Sequence, residues 1–429
     1  IAGTSVANTI TVSRTGLPAD LRYRGTDAGN LGNQASVSII GTTFEPILAV
    51  IGTDFMSVNN VNFTYNGVQG TGVSYQTTTG KVDCAIGLIN SSATDGATNN
   101  TFSNFVCTND RTNPASTQAI RHFTQTTPTS AAGANSNNTY RDFTIKNGTS
   151  GIIISGNATF PDINNRVITS ACTSYNTIGD PAVANDLSNP STATSPFGIT
   201  MSNQSGFTLR NNIISNLTNT STGSTIVDGI NVTLFQGICE INNNIIKNLR
   251  QNLGSGTSVV SGIKITNATT GTHEIRVYNN AISNLTTAYN GAASVTRMIR
   301  GMSGLSTTNN AAKYSIYNNS ISIDGSGAST ASNNCFDVAG TTGPNYDVRN
   351  NIFANYTIAQ AGVARHACYV TNSNTLLGGT GSTINQNNMY VANDAGVTGF
   401  PVYNSSTNTG TNPIATVNTN YSTQVTAPN

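Results

Sequence analysis

Phe207–Thr218 reads FTLRNNIISNLT, and the pattern returns as Cys239–Arg250, CEINNNIIKNLR. Further copies are His273–Leu285 (HEIRVYNNAISNL), Tyr314–Ile323 (YSIYNNSISI), Tyr346–Thr357 (YDVRNNIFANYT) and a degenerate Ser382–Val391 (STINQNNMYV). Each copy alternates apolar and polar residues, meets an Asn pair, then enters a second short apolar run. Period-two alternation specifies a strand, the Asn pair a turn, and the next run another strand. The second Asn of the pair falls at Asn212, Asn244, Asn280, Asn319, Asn351 and Asn388. The motif recurs about every 35 residues with a wandering period, as in a solenoid whose loops vary and whose rungs do not.

A third strand lies upstream of each motif: Gly198–Met201, Gly229–Val232, Gly262–Ile265, Gly301–Gly304, Phe336–Val338 and Tyr369–Val370. Three short strands per turn describe a coil, and coils in register make an all-β parallel β-helix with rungs ~4.8 Å apart. About ten such coils would make a rod of roughly 50 Å. Asn suits the corner because it tolerates the left-handed conformation of a tight turn. Stacked in register, its amides can also hydrogen-bond along the column, at ~1 kcal/mol net per bond.

With 9% charged residues, no Trp and a net charge of +1, the 429-residue chain has no basic run, so nucleic acid is not an expected partner. No apolar stretch reaches the ~20 residues of a membrane span. The expected division is an N-terminal cap or irregular first coil over 1–44, the β-helix over 45–395, and a C-terminal cap or linker over 396–429. Opening at Ile1 without Met or signal peptide, the chain is expected to have lost a leader or to be part of something longer. Of the six cysteines, Cys84, Cys107 and Cys239 fall at apolar strand positions and Cys172 beside one. Alignment sets Cys335 against Ala367 and Cys368 against Phe336, so buried thiols are expected in preference to disulfides.

From Pro46 to Asn393 the pattern resembles the right-handed β-helix of the pectate-lyase-like superfamily, where an Asn ladder occupies the short turn between second and third strands. That superfamily holds lyases, hydrolases, tailspikes, adhesins and inert shafts, so the resemblance implies a fold more than an activity. The scarcity of Lys and Glu beside abundant Asn, Thr, Ser and Gly is also similar to Asn-rich surface β-helix proteins that Bacteroidota export by type IX secretion, without their C-terminal sorting domain. It implies a secreted or cell-surface location.

Enzymes of the superfamily work on the outer face of the first strand. The outward column there reads Ile153, Thr200, Asn231, Lys264, Ser303, Asp337 and Tyr369. One carboxylate and one Lys two rungs apart supply neither the carboxyl pair of glycoside hydrolysis nor a Ca²⁺ cage. Asp228, just before the strand, could join Lys264 in a lyase-type site. On the second strand, Thr208, Glu240, Arg276, Ser315 and Asp347 form one column, with Glu240 beside Arg276. Arg210, Asn242, Tyr278, Tyr317, Arg349 and Gln386 form another, where Tyr278 and Tyr317 flanked by Arg210 and Arg349 could take the apolar face of a sugar, or simply stabilise the sheet. His122, His273 and His366 share no face, so no metal site or triad is expected, and no cofactor motif occurs. The expected function is non-enzymatic: an extracellular structural or adhesive module, partnered by surface glycans or further subunits of a surface assembly. The alternative is a carbohydrate-active β-helix, a polysaccharide lyase or hydrolase or a phage-type tailspike.

Overall fold

The computed structural model describes residues 10–13, 19–23, 46–65, 84–109, 117–180, 182, 187–189, 196–220, 226–252, 259–268, 271–288, 297–305, 312–323, 332–338, 345–357, 366–371, 383–391, 399–404, 409–411 and 424–425. Across them the chain winds into a right-handed parallel β-helix. The helical content of the described residues is the single 3-10 turn Ala131–Gly133. First strands stack into one sheet, in which eleven pair in parallel from Pro46–Ile51 to Gly399–Asn404 before Thr409–Thr411 folds back antiparallel. Second and third strands make a second sheet of 22 strands. The part carrying the regular Asn column amounts to about six turns, while the eleven stacked first strands differ slightly from the ten expected coils.

Both expected caps contribute strands. Ile10–Ser13 and Ala19–Tyr23 pair in parallel with Met56–Asn59 and Val61–Tyr65. Gly399–Asn404 continues the first sheet beyond His366–Thr371, and Gln424–Val425 pairs with Asn388–Val391. The remainder of those two segments lies outside the described residues.

Alternation delivers the core. Ile86, Ile120, Ile152, Ile199, Ile230, Ile263, Met302 and Phe336 follow one another in register up the first sheet, all buried. Each is worth about 1.5–3 kcal/mol of burial. Beside them runs a column of glycines, Gly151, Gly198, Gly229, Gly262 and Gly301, where the strand bends. A Cβ at any of the last four would lie 2.5–2.6 Å from the carbonyl oxygen of the next rung. Cys335 takes the corresponding place one rung on. Because Asn334 pairs with Ala367 and Phe336 with Tyr369, Cys368 stands opposite Cys335, one place away from the expected alignment. Cys84, Cys107, Cys239 and Cys335 are buried and Cys172 is exposed. Burial pushes the Cys239 thiol up to about 12 and that of Cys107 higher still.

The two Asn of each pair divide the work at the corner. The first, at Asn211, Asn243, Asn279, Asn318 and Asn350, adopts left-handed φ between 54° and 58°. The second turns inward and stacks. Nδ2 of Asn212 donates to Oδ1 of Asn244 at 2.8 Å, and Asn244, Asn280 and Asn319 repeat this to Asn280, Asn319 and Asn351 at 2.9–3.0 Å. Each Oδ1 also accepts the backbone N–H of the preceding Asn, and each Nδ2 reaches a strand carbonyl, as from Asn280 to Ile241. The column starts one rung earlier than expected, at Asn176. It ends on Asn387, which accepts from Asn351 at 2.9 Å, and not on Asn388. Gln386 takes the left-handed place with φ 53°, so Asn388 slides into the exposed position that Ile352 holds one rung before.

The early coils carry a second ladder that the repeat alignment misses. Asn100, Asn138 and Asn165 stack at the corner preceding the second strand, with Asn100 Nδ2 on Asn138 Oδ1 at 3.0 Å and Asn165 Nδ2 on Gln204 at 3.0 Å. Asn99, Asn137 and Asn164 are left-handed before them. The signal is in the sequence as TNNTF, SNNTY and INNRV. A third, outer column joins Asn284 to Asn248 and Asn248 to Asn216.

Candidate functional site

On the first-strand face, register places Asn231, Lys264, Ser303 and Asp337 in one column, as expected, but the next member is Val370 and Tyr369 pairs with Phe336. A second column precedes the glycine bend: Asp228, Ser261, Arg300 and Asn334. The bend brings the two columns together. Lys264 Nζ lies 3.7 Å from Asp228 Oδ2, and Arg300 Nε lies 3.5 Å from Asp337 Oδ2, with the Asp337 side chain 0% exposed. Asp228 and Lys264 do meet, and Arg300 is the member that sequence alignment passed over.

Burial pushes the Asp228 carboxyl above its usual range, against the pull of Lys264, Ser261 and Arg300. The folded state therefore holds this proton more tightly than the unfolded chain. The site costs stability above the raised pKa, and acidification toward the unfolded value relieves that cost. Asp228→Asn is expected to flatten this part of the stability profile, read as urea midpoints between about pH 4 and pH 8. An unchanged slope would show that Asp228 titrates normally.

The second-strand face carries a longer chain of charges. Glu240 and Arg276 approach to 3.6 Å, Arg276 and Glu274 to 2.9 Å, and Lys313 lies 3.8 Å from Glu274 and 4.0 Å from Asp347. Arg349 closes on Asp347 at 2.6 Å. The neighbouring column sets Arg210, Asn242, Tyr278, Tyr317 and Arg349 in register, ending on Asn385 in place of Gln386. The two tyrosines stand on adjacent rungs, yet the Arg349 guanidinium sits 5.2 Å above the Tyr317 ring and the Tyr317 hydroxyl donates to Asp347 at 2.7 Å. That ring face is occupied. Tyr278 is half-buried near Arg210 and Arg276.

His122 does what the sequence does not reveal. It points into the lumen, where Nδ1 is 3.0 Å from Asp162 and Nε2 is 2.8 Å from the Tyr140 hydroxyl. Asp162 also accepts the Asn135 N–H at 2.9 Å. The order resembles a relay, but all three side chains are sealed in the core, so the chain of bonds satisfies buried polar groups and meets no substrate. His273 is in a different coil, its Nδ1 accepting the Gly237 N–H, and the His366 side chain lies outside the described residues. Among the described residues no group of three His, Cys, Asp or Glu could hold a metal ion, and no helix is long and apolar enough to cross a membrane.

No protein-family model and no curated protein matches the chain. Among solved structures, it is similar to the A-module of a mannuronan C-5 epimerase of Azotobacter vinelandii, with 12% identity and a TM-score of 0.37, over 98% of this chain and 90% of the other. A likeness that distant says nothing about what this chain acts on.

Proposed function

We propose that the chain is a structural and adhesive β-helix module of a secreted or cell-surface bacterial protein, binding glycans and holding its loops in place without catalysis. One observation carries this: each carboxylate on the first- and second-strand faces described above is held by a cation of its own or a neighbouring rung. Asp228 faces Lys264, Asp337 faces Arg300, and Glu240, Glu274 and Asp347 share Arg276, Lys313 and Arg349. Such pairs fasten rung to rung; a hydrolase needs two carboxyls free to act across one bond. Export to the surface rests on the composition, poor in Lys and Glu and rich in Asn, Thr, Ser and Gly.

The contact of Asp228 with Lys264, and the raised carboxyl it contains, favour a second reading as a lyase-type enzyme on acidic polysaccharide. The two separate cleanly. Purified protein is incubated with polygalacturonate and with alginate, following the ultraviolet absorbance of unsaturated uronic ends and the release of reducing ends. The proposal expects neither to rise above a heat-denatured control. Product that disappears in Asp228→Asn or Lys264→Ala would overturn it in favour of the enzyme.

A further inference from the structure

The corner between second and third strands changes character along the rod. From Asn176 onward its inner position is an amide. In the coils before, that position holds Phe105 and Phe143, stacked at 5.1 Å, over which no ladder can form. Outside this phenyl pair lies a groove of about 340 Å³, within the ~300–1,000 Å³ usual for small-molecule sites. Asn104, Asp142, Thr144, Ser174 and Tyr175 border it.

Three features of the groove point to one kind of ligand. Tyr175 is 41% exposed, and among the described residues its ring and hydroxyl have no partner. Asp142, left-handed with φ 56°, spends Oδ1 on the N–H and hydroxyl of Ser170 at 2.9 and 3.0 Å, which fixes the turn carrying Tyr175; its carboxylate borders the groove with Oδ2 outside those two bonds. Asn104, left-handed one rung earlier, gives Nδ2 to Asn59 at 2.7 Å and keeps Oδ1 free. An aromatic face beside two oxygen acceptors fits a pyranose ring, whose axial C–H bonds pack on the aromatic ring while its hydroxyls donate to the oxygens. The lining contains a carboxylate and neither Lys nor Arg, so a uronate would be repelled.

We propose that this groove binds a neutral pyranose unit of a polysaccharide, with Tyr175 as the platform and Asp142 and Asn104 as the hydroxyl acceptors. The assignment rests on the glycan-binding part of the function proposed above and locates it away from both charged faces.

The test is affinity electrophoresis of the full chain through native gels holding laminarin, mannan or xylan, with polygalacturonate and alginate as acidic counterparts. At least one neutral polymer is expected to retard the protein, and neither acidic polymer to do so. Tyr175→Ala should weaken retardation about tenfold, the scale of one lost ring contact. Asp142→Asn keeps the left-handed corner and the Ser170 bonds, and should weaken it severalfold. Tyr317→Ala should leave it unchanged. Equal thermal midpoints for the variants exclude unfolding as the cause. If a neutral polymer retards wild type and Tyr175→Ala alike, the groove is not the site, although glycan binding stands. If only acidic polymers retard the protein, the ligand class is wrong. If none does, the groove and the glycan-binding function fall together.

Discussion

Asn280→Asp is expected to lower stability by about 3 kcal/mol or more at neutral pH, although it changes neither shape nor volume. The Asn280 Nδ2 donates to Asn319 Oδ1 at 2.9 Å and to the Ile241 carbonyl at 2.9 Å. A carboxylate oxygen there would turn both bonds into repulsions inside the buried column. Its own Oδ1 would still accept from Asn244, which offsets part of the loss. Burial and the facing oxygens of Asn319, Ile241 and Tyr278 raise the folded-state pKa of the new acid above its unfolded value. The penalty is then full above that raised pKa and fades as pH falls toward the unfolded one. Urea unfolding at about pH 4 and about pH 8 should show the deficit shrinking on the acid side. Asn248→Asp, in the half-buried outer column, should cost far less. Equal losses at the two positions would mean that burial of the inner column contributes nothing.

Gly262→Ala is expected to cost about 3 kcal/mol or more, or to prevent folding. The new Cβ would stand 2.5 Å from the Gly301 carbonyl oxygen and 2.6 Å from Ile282 Cγ2. The side chain can be trimmed; the carbonyl belongs to a hydrogen-bonded rung and cannot retreat without its neighbours. Adding Ile282→Ala should therefore fail to rescue, and full rescue would show that side-chain crowding alone demanded the glycine. Gly237 makes the contrast. Its φ is +63° and its nearest clash is Ser205 Oγ at 3.2 Å, so Ala there should cost only ~1–2 kcal/mol of backbone strain. Thermal or urea midpoints of the three variants check the set.

The architecture was legible because both of its determinants are local. Alternation marks the strands, and an Asn pair marks a corner whose two places need a left-handed residue and an inward amide. In the degenerate copy the Asn dipeptide points to Asn388, but the corner requires a left-handed residue followed by an inward amide, and Gln386 and Asn387 meet those requirements. The ladder of Asn100, Asn138 and Asn165 escaped because its Asn pairs precede the second strand, outside the aligned motif. Arg300 was missed since strict alternation sends positions three apart to opposite faces, whereas the glycine bend sets Asp228 and Asn231, or Arg300 and Ser303, on the same side. The His122–Asp162–Tyr140 chain joins residues far apart in sequence, and only the winding brings them together. Tyr175 sits in a turn with no repeat to flag it.

The amide column has a direction. Every link offers a donor to the C-terminal side and an acceptor to the N-terminal side, with the same geometry from Asn176 to Asn387. Links of that kind couple like railway carriages, hook to eye. A carriage duplicated or lost by recombination leaves its neighbours able to couple again, whatever the length of the loops hanging from it. The length of such a rod can therefore drift over generations by whole coils, without new chemistry and without any unfit intermediate length.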